Sequence, residues 1–306
     1  MAENSFLQYT SDKGIAMGWT RFNWADNIGR AIAFAGQSHD PLGDNSVRAF
    51  AAYDIGGTRP GKWTTLYPNN NGTGGVQNRD NHCQFYVPSR KELWVLKSSV
   101  AQFGGRFDCV NNVWANVSQT AAEFSSGLIQ NFPSGFITED SAHDWSANLD
   151  TGVSFGGQVQ GNPSSVLHLI EPNVEGPEPY QYTLLTTGPT WPAPRGQVEN
   201  QGVCIGDDFY VYSGENADAS ARNDLWRFHI PTRTWVSLAP NLLGGSTTRG
   251  AYGLIVYDPA QNVILTFRTL TTTHEVRVNV YQIDTNDWVD ASPPQDTSKT
   301  YRVGNI

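Results

Sequence analysis

A tryptophan that follows a tight turn recurs along this chain at intervals of about 50 residues. In residues 223–240, NDLWRFHIPTRTWVSLAP, an alternating run ends at the turn Pro231-Thr232-Arg233, and Trp235 opens the next run. Four more stretches end in a similar way, one of them with tyrosine in place of tryptophan. The five marks are Trp63, Trp114, Tyr182, Trp235 and Trp288. A recurring unit of this length is typical of a repeat architecture.

Each mark closes a unit of short predicted strands. A glycine-containing or alternating run, such as DFYVYSGE at residues 208–215, precedes the turn, and another short strand lies before that run. In the third unit this first strand is predicted over residues 144–150. No stretch shows a convincing helical period. The units of four strands span residues 19–68, 76–118, 142–187, 195–240 and 249–292, and residues 119–141 form an insert.

Repeated four-stranded units predict a β-propeller. One four-stranded sheet cannot bury both of its faces alone. Radial stacking covers both faces and leaves only short edges. We therefore expect a single all-β propeller domain over residues 1–306, with five blades. A sixth blade, assembled from SFLQYT (5–10), YRVGNI (301–306) and the insert, is the alternative. The five marks are then interpreted as packing residues that begin each outer strand and cover the gap between neighbouring blades.

Two further features accompany the tryptophan. Glycine follows the second strand as Gly156-Gly157 in the third unit and singly as Gly36 and Gly214. An arginine stands at or just before the first strand in four units: Arg21, Arg79, Arg195 and Arg249. Together these features resemble the kelch repeat over residues 19–292, and the fourth unit matches best. The third unit departs from the pattern because it has neither the arginine nor the tryptophan. The resemblance implies a propeller fold.

Charge and composition exclude several classes of protein. The chain carries 20 Lys and Arg against 29 Asp and Glu, a net charge of −9, with no basic cluster, so we expect no direct nucleic-acid binding. No apolar stretch reaches the 18 residues of a membrane span. The first residues, MAENSFLQYTSDKG, lack the apolar core of a signal peptide. These observations favour a virion or the cytoplasm as the location.

The residues that usually carry chemistry show no recognisable spacing. The three cysteines, Cys83, Cys109 and Cys204, lack a CxxC pair and are interpreted as small buried thiols in a reducing compartment. The six histidines form no HxH, HxxxH or HExxH pattern. Asp207-Asp208 is interpreted as a hairpin turn. No GxSxG motif occurs. We predict no catalytic, cofactor or metal site.

The irregular connections between strands are the expected contact surfaces, because loops on a rigid scaffold commonly carry binding. The candidate interface aromatics are Phe132, Phe136, Tyr180 and Trp191. The leading hypothesis is a non-enzymatic assembly protein, a structural subunit of a large particle such as a phage or viral tail, collar or capsid-associated protein. Its partners would be other protein subunits, including copies of itself. The alternatives are a free-standing kelch-like adaptor for a cellular protein and a glycan-acting enzyme with an axial site.

Overall fold

The described residues fold as an all-β protein. The computed structural model describes residues 20–35, 50–54, 62–67, 83–96, 105–115, 141–159, 162–172, 180–185, 188, 190–196, 202–218, 220–241, 253–269 and 276–292. Within these ranges there are 22 strands and no α-helix, and the one helical element is a 3-10 turn at Asp26–Ile28. The prediction of an all-β chain built from four-stranded antiparallel sheets is confirmed.

Twenty of the strands form five antiparallel sheets, numbered here in chain order, and each sheet is a simple meander. Sheet 1 contains β1 (Thr20–Ala25), β2 (Arg30–Ala35), β3 (Phe50–Asp54) and β4 (Lys62–Tyr67). Sheet 2 contains β5 (Cys83–Val87), β6 (Glu92–Leu96), β7 (Gly105–Asp108) and β8 (Val113–Ala115). These two sheets belong to a compact unit that spans Met1–Phe136.

The other three sheets belong to a second compact unit, Ile137–Asn305. Sheet 3 contains β9 (Ala142–Ser146), β10 (Thr151–Phe155), β13 (Leu167–Pro172) and β14 (Tyr180–Leu185), with the small ribbon β11 (Gln158–Val159) and β12 (Asn162–Pro163) between its second and third strands. Sheet 4 contains β15 (Gly202–Ile205), β16 (Asp208–Tyr212), β17 (Leu225–His229) and β18 (Thr234–Ser237). Sheet 5 contains β19 (Gly253–Asp258), β20 (Val263–Thr269), β21 (Val276–Gln282) and β22 (Asp287–Asp290).

One predicted strand is placed incorrectly. The first strand of the third unit was expected at residues 144–150, but β9 ends at Ser146, and residues 147–150 form the turn to β10. The turn closes at Asp150, which has φ 50°. The hydroxyl of Ser146 accepts a hydrogen bond from the N–H of Leu149 at 3.3 Å. This side-chain bond favours a turn at these residues instead of a longer β9.

The sheets of the second unit stack face to face in chain order. We call the face that carries the marked tryptophan or tyrosine the near face of a sheet, and the opposite face its far face. The far face of sheet 3, with Val153 and Phe155, packs on the near face of sheet 4, with Phe209 and Phe228. The far face of sheet 4 in turn packs on the near face of sheet 5, where Tyr281 lies. Each sheet thus covers its neighbour, as the repeat requires.

The described turns that precede Trp114, Trp235 and Trp288 share one backbone feature. Asn112, Arg233 and Asn286 each lie two residues before a tryptophan and have φ of 58°, 55° and 52°. This left-handed conformation suits asparagine and glycine and is costly for other side chains, by roughly 1–2 kcal/mol. Asparagine at two of the three positions therefore agrees with the geometry, whereas Arg233 is held there against its preference.

Replacing Arg233 with glycine should stabilise the protein. Glycine removes the left-handed penalty but loses some chain entropy, so we expect a gain of about 0.5–1 kcal/mol. Urea unfolding would measure it. Thr232→Gly, in the same exposed turn but without a positive φ, is the matched control and should destabilise the protein. Equal effects of the two changes would contradict the role assigned to Arg233.

Candidate interaction surface

Trp235 lies between sheets 3 and 4. It is the second residue of β18, and its ring centroid lies 4.8 Å from that of Phe155 on sheet 3 and 5.0 Å from that of Phe228 beside it. Only 5% of the residue is exposed. Tilted aromatic contacts of this kind add stability beyond the area that they bury. Trp235 therefore joins two neighbouring sheets, as a packing residue would.

Trp288 makes the corresponding contact one sheet further along. Its ring lies 5.4 Å from Tyr212 on sheet 4 and 5.2 Å from Tyr281 on its own sheet. Its indole N–H also donates a 2.8 Å hydrogen bond to the carbonyl of Ala239, which follows sheet 4. In return, the N–H of Ala239 donates to the side chain of Asn286 at 2.9 Å. This pair of hydrogen bonds fixes the register between the two sheets.

The other three marks are described at the level of the backbone. Trp63 and Trp114 are each the second residue of a fourth strand and lie opposite aromatic residues, Tyr53 and Phe107 respectively. Tyr182 is the third residue of β14 and lies opposite Ile170. Their side chains lie outside the described part of the structure, so their packing role stays a prediction.

Arg195 is the arginine of the fourth unit, and it is fully buried beside sheets 3 and 4. Its guanidinium forms two hydrogen bonds with the Asp224 carboxylate, at 2.9 and 3.3 Å, and donates a third to the carbonyl of Ser213 at 2.8 Å. Its plane also lies over the Phe155 ring, 5.7 Å from the centroid. Burial lowers the pKa of Arg195, and the Asp224 carboxylate opposes that shift. The side chains of the other predicted arginines, Arg21, Arg79 and Arg249, lie outside the described residues.

Three connections meet around Arg195, and we call their described residues the loop layer: 156–159, 162–166, 188, 190–196, 213–218 and 220–224. The backbone N–H of Arg195 donates to the carbonyl of Ser164 at 2.9 Å, and this bond attaches the connection of sheet 3 to the Arg195 segment. Gly196 and Glu215 exchange backbone hydrogen bonds at 2.9 and 2.8 Å, which attach the connection of sheet 4. From the strand order, both connections lie at the end of these sheets opposite the turns at residues 147–150 and 206–207. The loop layer is therefore tied to two sheets at once.

The tip of the 213–224 connection has its own hydrogen bonds. The N–H of Asn216 donates to the carbonyl of Ser220 at 2.9 Å, and the N–H of Arg222 donates to the carbonyl of Gly214 at 2.9 Å. Asp218 accepts the N–H of Ser220 at 3.0 Å and also bonds its hydroxyl. These bonds lower the pKa of the exposed Asp218 carboxyl. The described part of this loop is thus closed by hydrogen bonds among its own residues.

Trp191 is the one candidate interface aromatic whose side chain is described. It is partly buried and meets Trp235 edge to face, with 6.0 Å between ring centroids. A Cβ on Gly188 would lie 2.7 Å from its indole nitrogen, so the ring closes directly over that glycine. Trp191 thus extends the core between sheets 3 and 4 into the loop layer. Phe132 and Phe136 lie outside the described residues, and Tyr180 is described only by its backbone, as the first residue of β14.

The carboxylate pair Asp207-Asp208 is divided between two roles. Gly206 and Asp207 form the turn, whereas Asp208 begins β16 and accepts a 2.9 Å hydrogen bond from the imidazole of His229 across the strand pair. Arg227 approaches the other Asp208 oxygen at 3.9 Å. The pairing of Asp208 with His229 could not be seen in the sequence, because 21 residues separate them.

The remaining candidate ligands are scattered in the structure as described. His143 bonds the carbonyl of Ser141 at 2.9 Å, and His168 is buried in sheet 3. Cys83 and Cys109 are buried and Cys204 is partly buried, all three as free thiols. No three His, Cys, Asp or Glu side chains within the described ranges are grouped so that they could hold a metal ion. His39, His82 and His274 lie outside those ranges.

Two ionisable side chains of sheet 3 have strongly shifted pKa values, in opposite senses. Burial lowers the pKa of His168 to about 3, so the imidazole is neutral at physiological pH. Burial raises the pKa of Asp144 to about 6, although its carboxylate accepts a 2.7 Å hydrogen bond from the N–H of Cys204 on sheet 4. Asp144 and Ser146, which donates to the carbonyl of Gly206 at 2.8 Å, together connect the first strands of sheets 3 and 4.

No protein-family model matches the chain, and no curated protein is significantly similar to it. The kelch resemblance accordingly stays a prediction drawn from the residues themselves. In the part of the chain that the structure describes, no helix is long and apolar enough to cross a membrane.

Removing the carboxylate that pairs with Arg195 should destabilise the protein. Asp224→Asn leaves a buried guanidinium without its counter-charge, for which we expect a loss of about 2–4 kcal/mol in urea unfolding. Asp290→Asn is the matched control, because its ion pair with Arg277 spans 3.8 Å with both side chains at least one-third exposed, and it should cost less than about 1 kcal/mol. A loss at Asp224 no larger than at Asp290 would contradict the buried role.

The opposite shifts in sheet 3 predict opposite changes in the pH dependence of stability. Because the folded pKa of His168 lies below its ordinary value, its stabilising contribution is complete above about pH 6.5 and is lost as the pH falls towards 3. His168→Gln should therefore reduce the loss of stability on acidification. The folded pKa of Asp144 is raised, so its contribution is lost as the pH rises from about 4 through 6, and Asp144→Asn should reduce that loss.

Thermal unfolding between pH 4 and pH 7 would measure both changes. The slopes of Tm against pH, rather than the Tm values, are the quantities to compare, because each substitution also alters packing. Slopes that match the unmodified chain in both variants would show that neither group is shifted by its burial.

Proposed function

We propose that this chain is a non-enzymatic interaction and assembly scaffold of the β-propeller type, with each of the five sheets as one blade. The observation that supports this proposal most directly is the loop layer. Binding loops are effective when a rigid scaffold positions them. Here the connections of two neighbouring sheets are both fastened by backbone hydrogen bonds to the segment that carries Arg195 and Gly196.

We further propose that the scaffold serves as a structural subunit of a large particle, such as a phage or viral tail, collar or capsid-associated component. Only 16% of the residues are charged, and glycine and uncharged polar side chains are plentiful. A surface with few charges loses little solvation energy when another subunit covers it. Exposed small residues of the loop layer, including Thr190, Ala193 and Pro194, present such a surface.

The proposal predicts that the protein in extracts of its source elutes as a complex much larger than its 33.6 kDa chain. Ala193→Arg, which places a large charge on the loop layer, should release the chain from that complex, because an unpaired charge at an interface is costly. Size-exclusion chromatography with immunodetection would measure the shift. Thr232→Arg is the matched control at the opposite end of sheet 4 and should leave the complex intact. Elution of the unmodified chain as a monomer would refute the proposal.

A further inference from the structure

The fourth strand of sheet 4, β18, is an edge strand in the described sheet order. The N–H of Leu238 donates to the carbonyl of Leu225, and the hydrogen-bonded pairs alternate along the strands from that point. Val236 therefore exchanges hydrogen bonds with β17, whereas the backbone groups of Trp235 and Ser237 point away from β17. In the part of the chain that the structure describes, these outward groups have no hydrogen-bond partner.

The corresponding strand of sheet 5, β22, is protected on the same side by its own carboxylates. By the same alternation, the backbone groups of Trp288 and Asp290 point away from β21. The N–H of Trp288 donates to the carboxylate of Asp287 at 2.8 Å. The carboxylate of Asp290 accepts the N–H of Ser292, also at 2.8 Å. Charged side chains of this kind keep edge strands from pairing with other chains, and the four residues of β18 carry no charge.

We infer that β18 pairs antiparallel with β18 of a second copy of this chain, about a twofold axis at Val236. In this register Trp235 of each copy lies opposite Ser237 of the other, and each such pair exchanges two backbone hydrogen bonds. Val236, which is 41% exposed in the single chain, meets its counterpart on the axis as a non-hydrogen-bonded pair, where side chains approach most closely. Because both copies use the same surface, the contact closes as a dimer.

The charges around β18 suit a second copy. Residues 234–238 are uncharged, so the paired strands bring no like charges together, although each copy carries a net charge of −9. The register places the exposed Arg233 opposite Ala239 of the second copy, and Ala239 is hydrogen bonded to both residues that flank the exposed Asp287. Asparagine stands at the position of Arg233 in the other two described turns of this kind. A strained arginine is thus present where it gains an acidic neighbour.

This dimer goes beyond the proposed assembly function, because it uses an edge of sheet 4 and not the loop layer. The Ala193→Arg variant should therefore dimerise like the unmodified chain, so failure of this inference is separable from failure of the proposed function.

Sedimentation equilibrium of the purified full-length chain tests the inference. Because five paired residues form a small interface, we expect a weak dimer with a Kd on the order of 100 µM. Val236→Lys places two like charges on the axis and should raise that Kd roughly tenfold or more. Val289→Lys is the matched control, because Val289 occupies the same place in β22 and is 44% exposed, and it should dimerise like the unmodified chain.

A mixture of Val236→Lys and Val236→Glu tests the symmetry of the contact. Each variant alone should stay monomeric at concentrations where the unmodified chain dimerises. The equimolar mixture should form a mixed dimer, because opposite charges then meet on the axis. Circular dichroism and Tm would establish that both variants fold.

Cysteine cross-linking tests the register. Val236→Cys should form a disulfide-linked dimer on mild oxidation, because a non-hydrogen-bonded pair places its Cα atoms about 4.5 Å apart, within the range of a disulfide. Val289→Cys, at a similarly exposed position, should stay monomeric.

Two outcomes would overturn the inference. One is an unmodified chain that stays monomeric at concentrations about tenfold above the expected Kd. The other is a Val236→Cys variant that cross-links no faster than Val289→Cys.

Discussion

The contact between a fourth-strand tryptophan and an aromatic ring of the preceding sheet is the interaction on which the described packing depends. A four-stranded sheet has two faces and gains little stability unless both are covered. Trp235 against Phe155 and Trp288 against Tyr212 provide that cover with the largest side chains available. The left-handed residue two positions before each tryptophan sets where that tryptophan enters its strand. The geometry of the turn therefore determines which residue packs between the sheets.

The ion pair of Arg195 and Asp224 has a different role. Buried ion pairs contribute little net stability, because desolvation of the charges offsets their attraction. What this pair adds is position: Asp224 also accepts the Trp226 indole N–H at 2.8 Å, so one carboxylate holds the arginine and an aromatic residue of sheet 4. The backbones of Arg195 and Gly196 then form hydrogen bonds with Ser164 in the connection of sheet 3 and Glu215 in the connection of sheet 4. A buried charge therefore orders a surface that the apolar core does not reach.

The fold was more accessible from the sequence than the surface was. Strand alternation and turn residues are local signals, and they were sufficient to locate most strands and all five marks. The partners of Arg195 and Asp208 were not found, because a strand pattern does not reveal which polar groups meet across 29 or 21 residues. One local signal was available: an acidic residue two positions before a tryptophan bonds its indole in both Glu92-Leu93-Trp94 and Asp224-Leu225-Trp226. The sequence names Trp191 only as a candidate interface aromatic, because the exposure of a loop aromatic depends on the neighbouring core.

Because the strand pattern reports packing and not the long-range polar contacts, the regular part of the repeat carries little information about which partner the chain binds. The recurring residues Trp235 and Trp288 satisfy the same packing requirement in sheets 4 and 5. Features that occur once in the described residues, such as the exchange between Gly196 and Glu215, arise where one unit departs from the others. A partner that selects this chain has to recognise such departures.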